Sequence, residues 1–291
     1  MPKSAEKKET KNSKKNELKS TESTQLATLP DDLLQDADDF QEDISAQDMA
    51  LSYFSPLAGN SPQCQEGTDK YNEDARPGMI IDNVTQELIE GRTKGIQVIP
   101  CYHEKKIVEW VPRDQGGGWV AEHHINSGIE KKATKDSQGR LILDNGNQVV
   151  ETAYLYAIIL KGDDTIIPDW GVIPFKSTQL SKFRQLNTYK KKAVEIVNGR
   201  VLNLAPFAYK YNFTTAPESN TKGSWYGWKI TPGGLLAPVP ELSSNHIYQA
   251  AKAYAAAVKS GVVRATSAAI DNTGSDTVPA GSDSEDGVPW E

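Results

Sequence analysis

Cysteine is almost missing from this chain. Cys64 and Cys101 are the only two in 291 residues, which excludes a disulfide framework and a four-thiolate zinc site and points to a reducing compartment. No stretch approaches the ~18 uninterrupted apolar residues of a membrane-spanning helix, and mean hydropathy is −0.55. The start, MPKSAEKKETKNSKK, has no apolar core behind its lysines and is not expected to be a secretory signal. Catalytic signatures are absent as well. There is no Gly-x-Ser-x-Gly and no His-Glu-x-x-His, and Gly116-Gly117-Gly118 lacks the Gly-Lys-Ser/Thr ending of a phosphate loop. Cys101 and His103 with His123-His124 match no standard zinc spacing, and Asp163, Asp164 and Asp169 read as a solvated turn rather than a divalent-ion site. The expectation is a protein that is not an enzyme, with no catalytic residue, no metal and no cofactor, working in the cytoplasm (the host's, if viral).

Whole segments lack charge of one sign. The formal net charge is −7, but it is unevenly laid out. Residues 1–20 hold seven lysines against three glutamates, and residues 21–50 hold nine acids and no base. Residues 271–291 hold six acids and no base, whereas residues 176–230 carry ten bases against Glu195 and Glu218 only, a net of +8. Blocks of this kind mark separate tasks along one chain.

Three regions follow. Residues 1–48 are poor in aromatics and rich in Lys, Ser, Glu and Asp, too polar to offset the entropy of ordering, and read as a disordered arm. Residues 271–291 read as a disordered acidic tail, and residues 49–270 as a single β-rich domain. Within that domain short strands are expected at 79–81, 86–89, 140–143, 148–151 and 170–175, with Asn145-Gly146 favouring a tight hairpin. Ile96–His103 and Lys106–Val111 suggest a hairpin about Glu104-Lys105. Ala153–Leu160, apolar on both faces, should be a central strand. Pro206–Thr214 and Ser224–Ile230 should form an aromatic pair. Helices are expected over Ser177–Val197, ended by Asn198-Gly199, and over Leu242–Lys259, ended before Gly261. Many strands with few helices give a mainly β fold, an oligonucleotide-binding (OB)-like barrel or sandwich with helical additions.

The basic segment also concentrates rings. On a strand alternate side chains share a face, so Tyr209 and Tyr211 fall together with Phe207 and Phe213, opposite Lys210. Trp225 and Lys229 share a side of the next strand, with Trp228 on the other. Flat π faces beside cations are what unpaired bases and their phosphates require. The candidate nucleic-acid-binding residues are therefore Lys182, Arg184, Lys190, Tyr209, Lys210, Tyr211, Lys222, Trp225, Trp228 and Lys229. In the tail, Asp283, Glu285 and Asp286 precede Val288-Pro289-Trp290, an anionic segment tipped by an apolar group that a partner's pocket can hold.

On these tail residues, and on KSTQLSKFRQLN and NTKGSWYGWKI, the chain resembles the single-stranded DNA-binding proteins of tailed phages. That resemblance implies an OB-type barrel, binding of single-stranded DNA in replication, recombination or repair, and recruitment of replication or recombination proteins through the acidic tail. No membrane partner is expected, and a homo-oligomer is compatible with this reading. The alternative is a virion structural or assembly protein, in which the aromatic strands are core.

Overall fold

The computed structural model describes residues 50–112, 115–162, 168–221 and 223–268; the arm expected over 1–48 and the tail over 271–291 lie outside them. In chain order the strands are β1 (Ser52–Pro56), β2 (Ile80–Asp82), β3 (Leu88–Ile89), β4 (Ile96–Trp110), β5 (Trp119–His124), β6 (Thr134–Lys135) and β7 (Leu141–Ile142). They continue as β8 (Gln148–Leu160), β9 (Asp169–Lys176), β10 (Glu195–Val197), β11 (Arg200–Leu202), β12 (Tyr209–Asn220) and β13 (Gly223–Leu235). Three short helices are added: α1 (Leu180–Lys192), α2 (Val239–Leu242) and α3 (His246–Ser260). The main sheet runs β13-β12-β4-β8-β9-β1-β2-β3, with β5 beside β4 and β7 beside β8; the β1–β9 pair is parallel. The sheet curls into a half-barrel, so the fold is the expected mainly β, OB-like architecture with helical additions.

The strand at the centre explains the curl's contents. β8 carries the run AYLYAIIL, and its two faces enter two different cores. Ala153, Leu155, Ala157 and Ile159 join a cluster with Ile80 and Ile89 from one end of the sheet and Trp228 and Ile230 from the other, which can meet only on the concave side. Phe183 and Leu186 of α1 plug that side. Phe183 lies 5.5 Å from Phe175 between ring centroids, and Phe213 lies 5.4 Å from Trp228 at 69°, an edge-to-face contact. Tyr154, Tyr156, Ile158 and Leu160 face the convex side, covered by Ile247, Ala251, Tyr254 and Val258 of α3. These four recur at helical spacing, so one stripe of α3 is apolar. Asn245 caps its start by accepting from the Tyr248 amide, and Gly261 ends it with φ of 80°.

The sheet's far edges approach each other. The Thr215 amide donates to the Gly91 carbonyl at 2.8 Å, and the Thr215 hydroxyl to the Gly78 carbonyl. A Cβ on Gly91 would stand 2.2 Å from that Gly78 oxygen, so this approach admits only glycine.

A polar clasp locks residues 265–267 onto the convex side. The Ala265 amide donates to the Tyr156 hydroxyl at 2.7 Å and the Thr266 amide to the Tyr53 hydroxyl at 2.7 Å. The Ser267 amide donates to Glu122 Oε1 at 2.6 Å, which also accepts from the Tyr154 hydroxyl at 2.8 Å; Tyr154 Oη bonds Ser267 Oγ as well. Lys106 Nζ completes the set, bonding the Ala265 carbonyl at 2.7 Å and Glu122 at 2.9 Å. Burial of these phenols raises their pKa, to about 12 for Tyr53, so they stay protonated donors.

Two expectations are corrected. Glu104-Lys105 forms no turn: β4 runs unbroken from Ile96 to Trp110. Each charge finds a partner in mid-strand, Glu104 accepting from the Tyr156 hydroxyl at 2.5 Å and Lys105 pairing with Glu151 at 2.6 Å. The helix expected over Ser177–Val197 ends at Lys192. Asn198 and Gly199, both at positive φ, instead make the two-residue turn of the β10–β11 hairpin. The helix expected over Leu242–Lys259 is α3, which starts at His246, Leu242 ending the separate one-turn α2 before it.

Tyr154→Phe removes the hydroxyl that both Glu122 and Ser267 engage. Because one partner is charged, it should cost about 1.5–3 kcal/mol, read as a lower urea midpoint at unchanged slope.

Candidate nucleic-acid interface

The alternation argument put Tyr209 and Tyr211 on one face of β12, and they are; that face is the core. Tyr211 is 2% exposed and Trp228 1%, and Tyr209 is buried with them on the concave side against α1. Burial pushes the Tyr211 hydroxyl up to about 12, the neighbouring Tyr209 adding to the shift. Trp225, on the other side of β13, is buried too, its indole N–H donating to Glu218 at 2.9 Å. These four rings offer no face to a ligand, and the expected ring-lined trough is corrected accordingly. Its physical reason is that period-2 alternation identifies which side chains share a face, not whether the face is covered.

The candidate cations fall into two sets. Across the β12–β13 ladder Thr214 opposes Lys229 and Asn212 opposes Thr231. With Lys210 these make a polar strip on the convex side of the ribbon, Lys229 and Thr231 exposed and Lys210 half-buried. The second set is on α1, which plugs the concave side. Arg184, with Lys191 and Lys192 of the last turn, is exposed. Arg200, just beyond on β11, is exposed as well. None of these four makes an ion pair among the described residues. Lys182 differs: it pairs with Glu218 at 2.7 Å, in a cluster where Gln179 takes the edge-strand amide of Trp228 at 2.9 Å. Lys182 therefore ties α1 to the sheet edge. Lys222 and the tail residues Asp283 to Trp290 lie outside the described residues.

Lys190 stands on the same stripe of α1 as Phe183, seven residues on. It is half-buried with no carboxylate partner among the described residues, and desolvation lowers its pKa from 10.5 to about 8. His103 of β4, edge-on to Phe183 at 5.2 Å, is held below its usual value by partial desolvation and then by Lys190 and Lys105. The acids near this cluster are Glu151, bound to Lys105, and Glu130, whose carboxyl is raised by desolvation and by Glu151.

Two exposed features escaped the sequence reading. Trp170 is 47% exposed and lies over Tyr254 at 6.1 Å and 17°. Its register partner, Ile158, faces the convex core, so Trp170 is on the side of the sheet opposite α1. The β10–β11 hairpin is the other. Ile196 and Val201 are cross-strand partners, 74% and 68% exposed, and this hairpin forms a separate two-stranded sheet. The signal for it was Asn-Gly between β-branched residues.

A lysine whose folded pKa is lowered binds fewer protons than its unfolded counterpart between about 8 and 10.5. Its charge therefore costs stability below that window, and the cost is relieved as pH rises through it. Lys190→Met should be more stable than the parent at pH 7 and lose the rise in stability above pH 8, measured by urea unfolding across that range.

Among the described residues no helix is long and apolar enough to cross a membrane, and none of their acidic, histidine or cysteine side chains group as a metal site. No curated protein and no solved structure matches the chain. One family model does, described as Pam3 phage gp34-like protein, over residues 13–264, which takes in nearly the whole described domain. The chain belongs to the Pam3 phage gp34-like family.

Proposed function

We propose that this phage protein binds single-stranded DNA in the host cytoplasm, serving replication, recombination or repair without chemistry of its own. The observation that carries the reading is the set Arg184, Lys191, Lys192 and Arg200. In a chain of net charge −7, Lys191 and Lys192 close α1, Arg184 stands two turns before them on the same helix and Arg200 follows on β11, all four exposed and none in an ion pair among the described residues. Phosphates are the ligand such a set suits, and each neutralised phosphate releases condensed counterions. Lys210 and Lys229 offer a second, smaller strip. The four buried rings support the fold and have no part in the contact. Asp283, Glu285 and Asp286 with Val288-Pro289-Trp290 would recruit replication or recombination proteins, an acidic stretch ending in an apolar anchor.

The test is a titration of the full chain with labelled oligo(dT) at two salt concentrations. The parent should bind with a steep salt dependence. The combined Lys191→Glu, Lys192→Glu, Arg200→Glu variant should bind at least about tenfold more weakly, with the slope reduced by about three. Trp228→Phe should change affinity little. A parent that shows no salt-dependent binding, and instead occurs stoichiometrically in purified particles, would establish the virion assembly role and sink the DNA-binding reading.

A further inference from the structure

The β10–β11 hairpin is an unusual object for a protein surface. Two strands of three residues, Glu195–Val197 and Arg200–Leu202, form a sheet separate from the main one. Isolated hairpins of this size are marginal in water, yet the Asn198-Gly199 turn has the positive φ angles of 51° and 74° that tight hairpins prefer. The two faces of this hairpin differ. Glu195, Val197 and Leu202 are half-buried and share a face with the exposed Arg200, whereas the cross-strand pair Ile196 and Val201 on the opposite face is exposed, as is Val194 just before β10. Three β-branched side chains are thus left uncovered by the described residues. Exposed cations flank the hairpin in sequence: Lys191 and Lys192 end α1 two residues before β10, and Arg200, opposite Val197 across the turn, precedes Val201 on β11.

We infer that this hairpin is a wedge for base steps: Ile196 and Val201 enter between bases while Lys191, Lys192 and Arg200 hold the flanking phosphates. The inference rests on the DNA-binding reading above and deepens it by naming how bases are met once Tyr209, Tyr211, Trp225 and Trp228 are excluded. The chemistry of the partner follows from charge and shape together. A purely apolar partner would be repelled by three unpaired cations losing water, and a purely anionic one would gain nothing from three exposed aliphatic groups. A nucleic acid supplies both needs, since its apolar base faces sit between phosphates. Aliphatic side chains inserted at a base step partly unstack it, which favours opening where the pairing is already weak. The expected substrate class is accordingly a strand with weakly paired bases, which the wedge would keep open and single-stranded.

The experiment uses the full chain and two ligands, oligo(dT) and a marginally stable DNA hairpin carrying a fluorophore and quencher at its ends. The parent should open the DNA hairpin as it binds. Ile196→Ser with Val201→Ser should raise the protein needed for half-opening about tenfold more than it weakens oligo(dT) binding. Ile196→Val with Val201→Ile, which preserves the aliphatic pair, should behave as the parent. Unchanged opening by the serine variant overturns the wedge. So does a serine variant that changes the oligomeric state in sedimentation without affecting opening, which would assign the hairpin to self-association. Failure of the parent to bind oligo(dT) at all instead sinks the DNA-binding reading itself, so the two failures are distinguishable.

Discussion

The fold depends on β8 being covered on both faces. A strand whose eight residues from Ala153 to Leu160 are all buried needs two separate layers, and this chain supplies one short helix for each. α1 fills the hollow of the half-barrel with Phe183 and Leu186, and α3 lies over the convex side with Ile247, Ala251, Tyr254 and Val258. Fully burying one large apolar side chain contributes about 1.5–3 kcal/mol, so losing either cover would expose several such side chains at once. The cover sets the surface in turn. A helix with only Phe183 and Leu186 fully buried presents most of its length outward, and the sequence has placed cations there.

The convex side uses polar bonding where α3 runs out. Tyr53, Tyr154 and Tyr156 give up phenol surface to the core and aim their hydroxyls at residues 265–267, while Glu122 and Lys106 take the remaining donors and acceptors. A buried polar network is stabilising only when its members are satisfied, and each hydroxyl here has a partner. The clasp matters beyond stability, because it fixes the chain at Ser267 onto the convex side of the sheet, past the end of α3.

What the sequence disclosed depended on the kind of signal. A continuous apolar run marked β8, and Gly261 marked the end of α3, because burial on two faces and left-handed caps leave direct traces in composition. Glu104-Lys105 misled because two adjacent charges look like a turn until cross-strand partners are known. Glu151 and Tyr156 are about fifty residues away, and only folding brings them alongside. Asn198-Gly199 misled for a subtler reason. The same pair serves as a helix stop or a hairpin turn, and the β-branched Val194, Ile196 and Val197 before it, poor in a helix and good in a strand, decided the outcome. For the candidate residues, the rings were read as a binding face and are core, while of the α1 cations singled out only Arg184 is exposed, Lys182 being paired with Glu218 and Lys190 half-buried. Aromatic density is a property of cores and of binding faces alike, so it carries no sign.

Charge does carry a sign, and here it separates structure from surface within one segment. Residues 176–230 hold rings and cations in alternation. The fold turns Phe183, Tyr209, Tyr211, Phe213 and Trp228 inward and leaves Arg184, Lys191, Lys192 and Arg200 out. Where a cation does meet an acid in this segment it does so for architecture, as Lys182 does with Glu218 at the sheet edge. Lys191 and Lys192, unpaired among the described residues at the end of α1, keep a local field there that distant acids cannot cancel, because at physiological salt they are screened beyond ~8 Å. In the proposed role, the overall charge of −7 would limit indiscriminate polyanion binding elsewhere on the surface, confining attraction to the patch beside the exposed aliphatic hairpin.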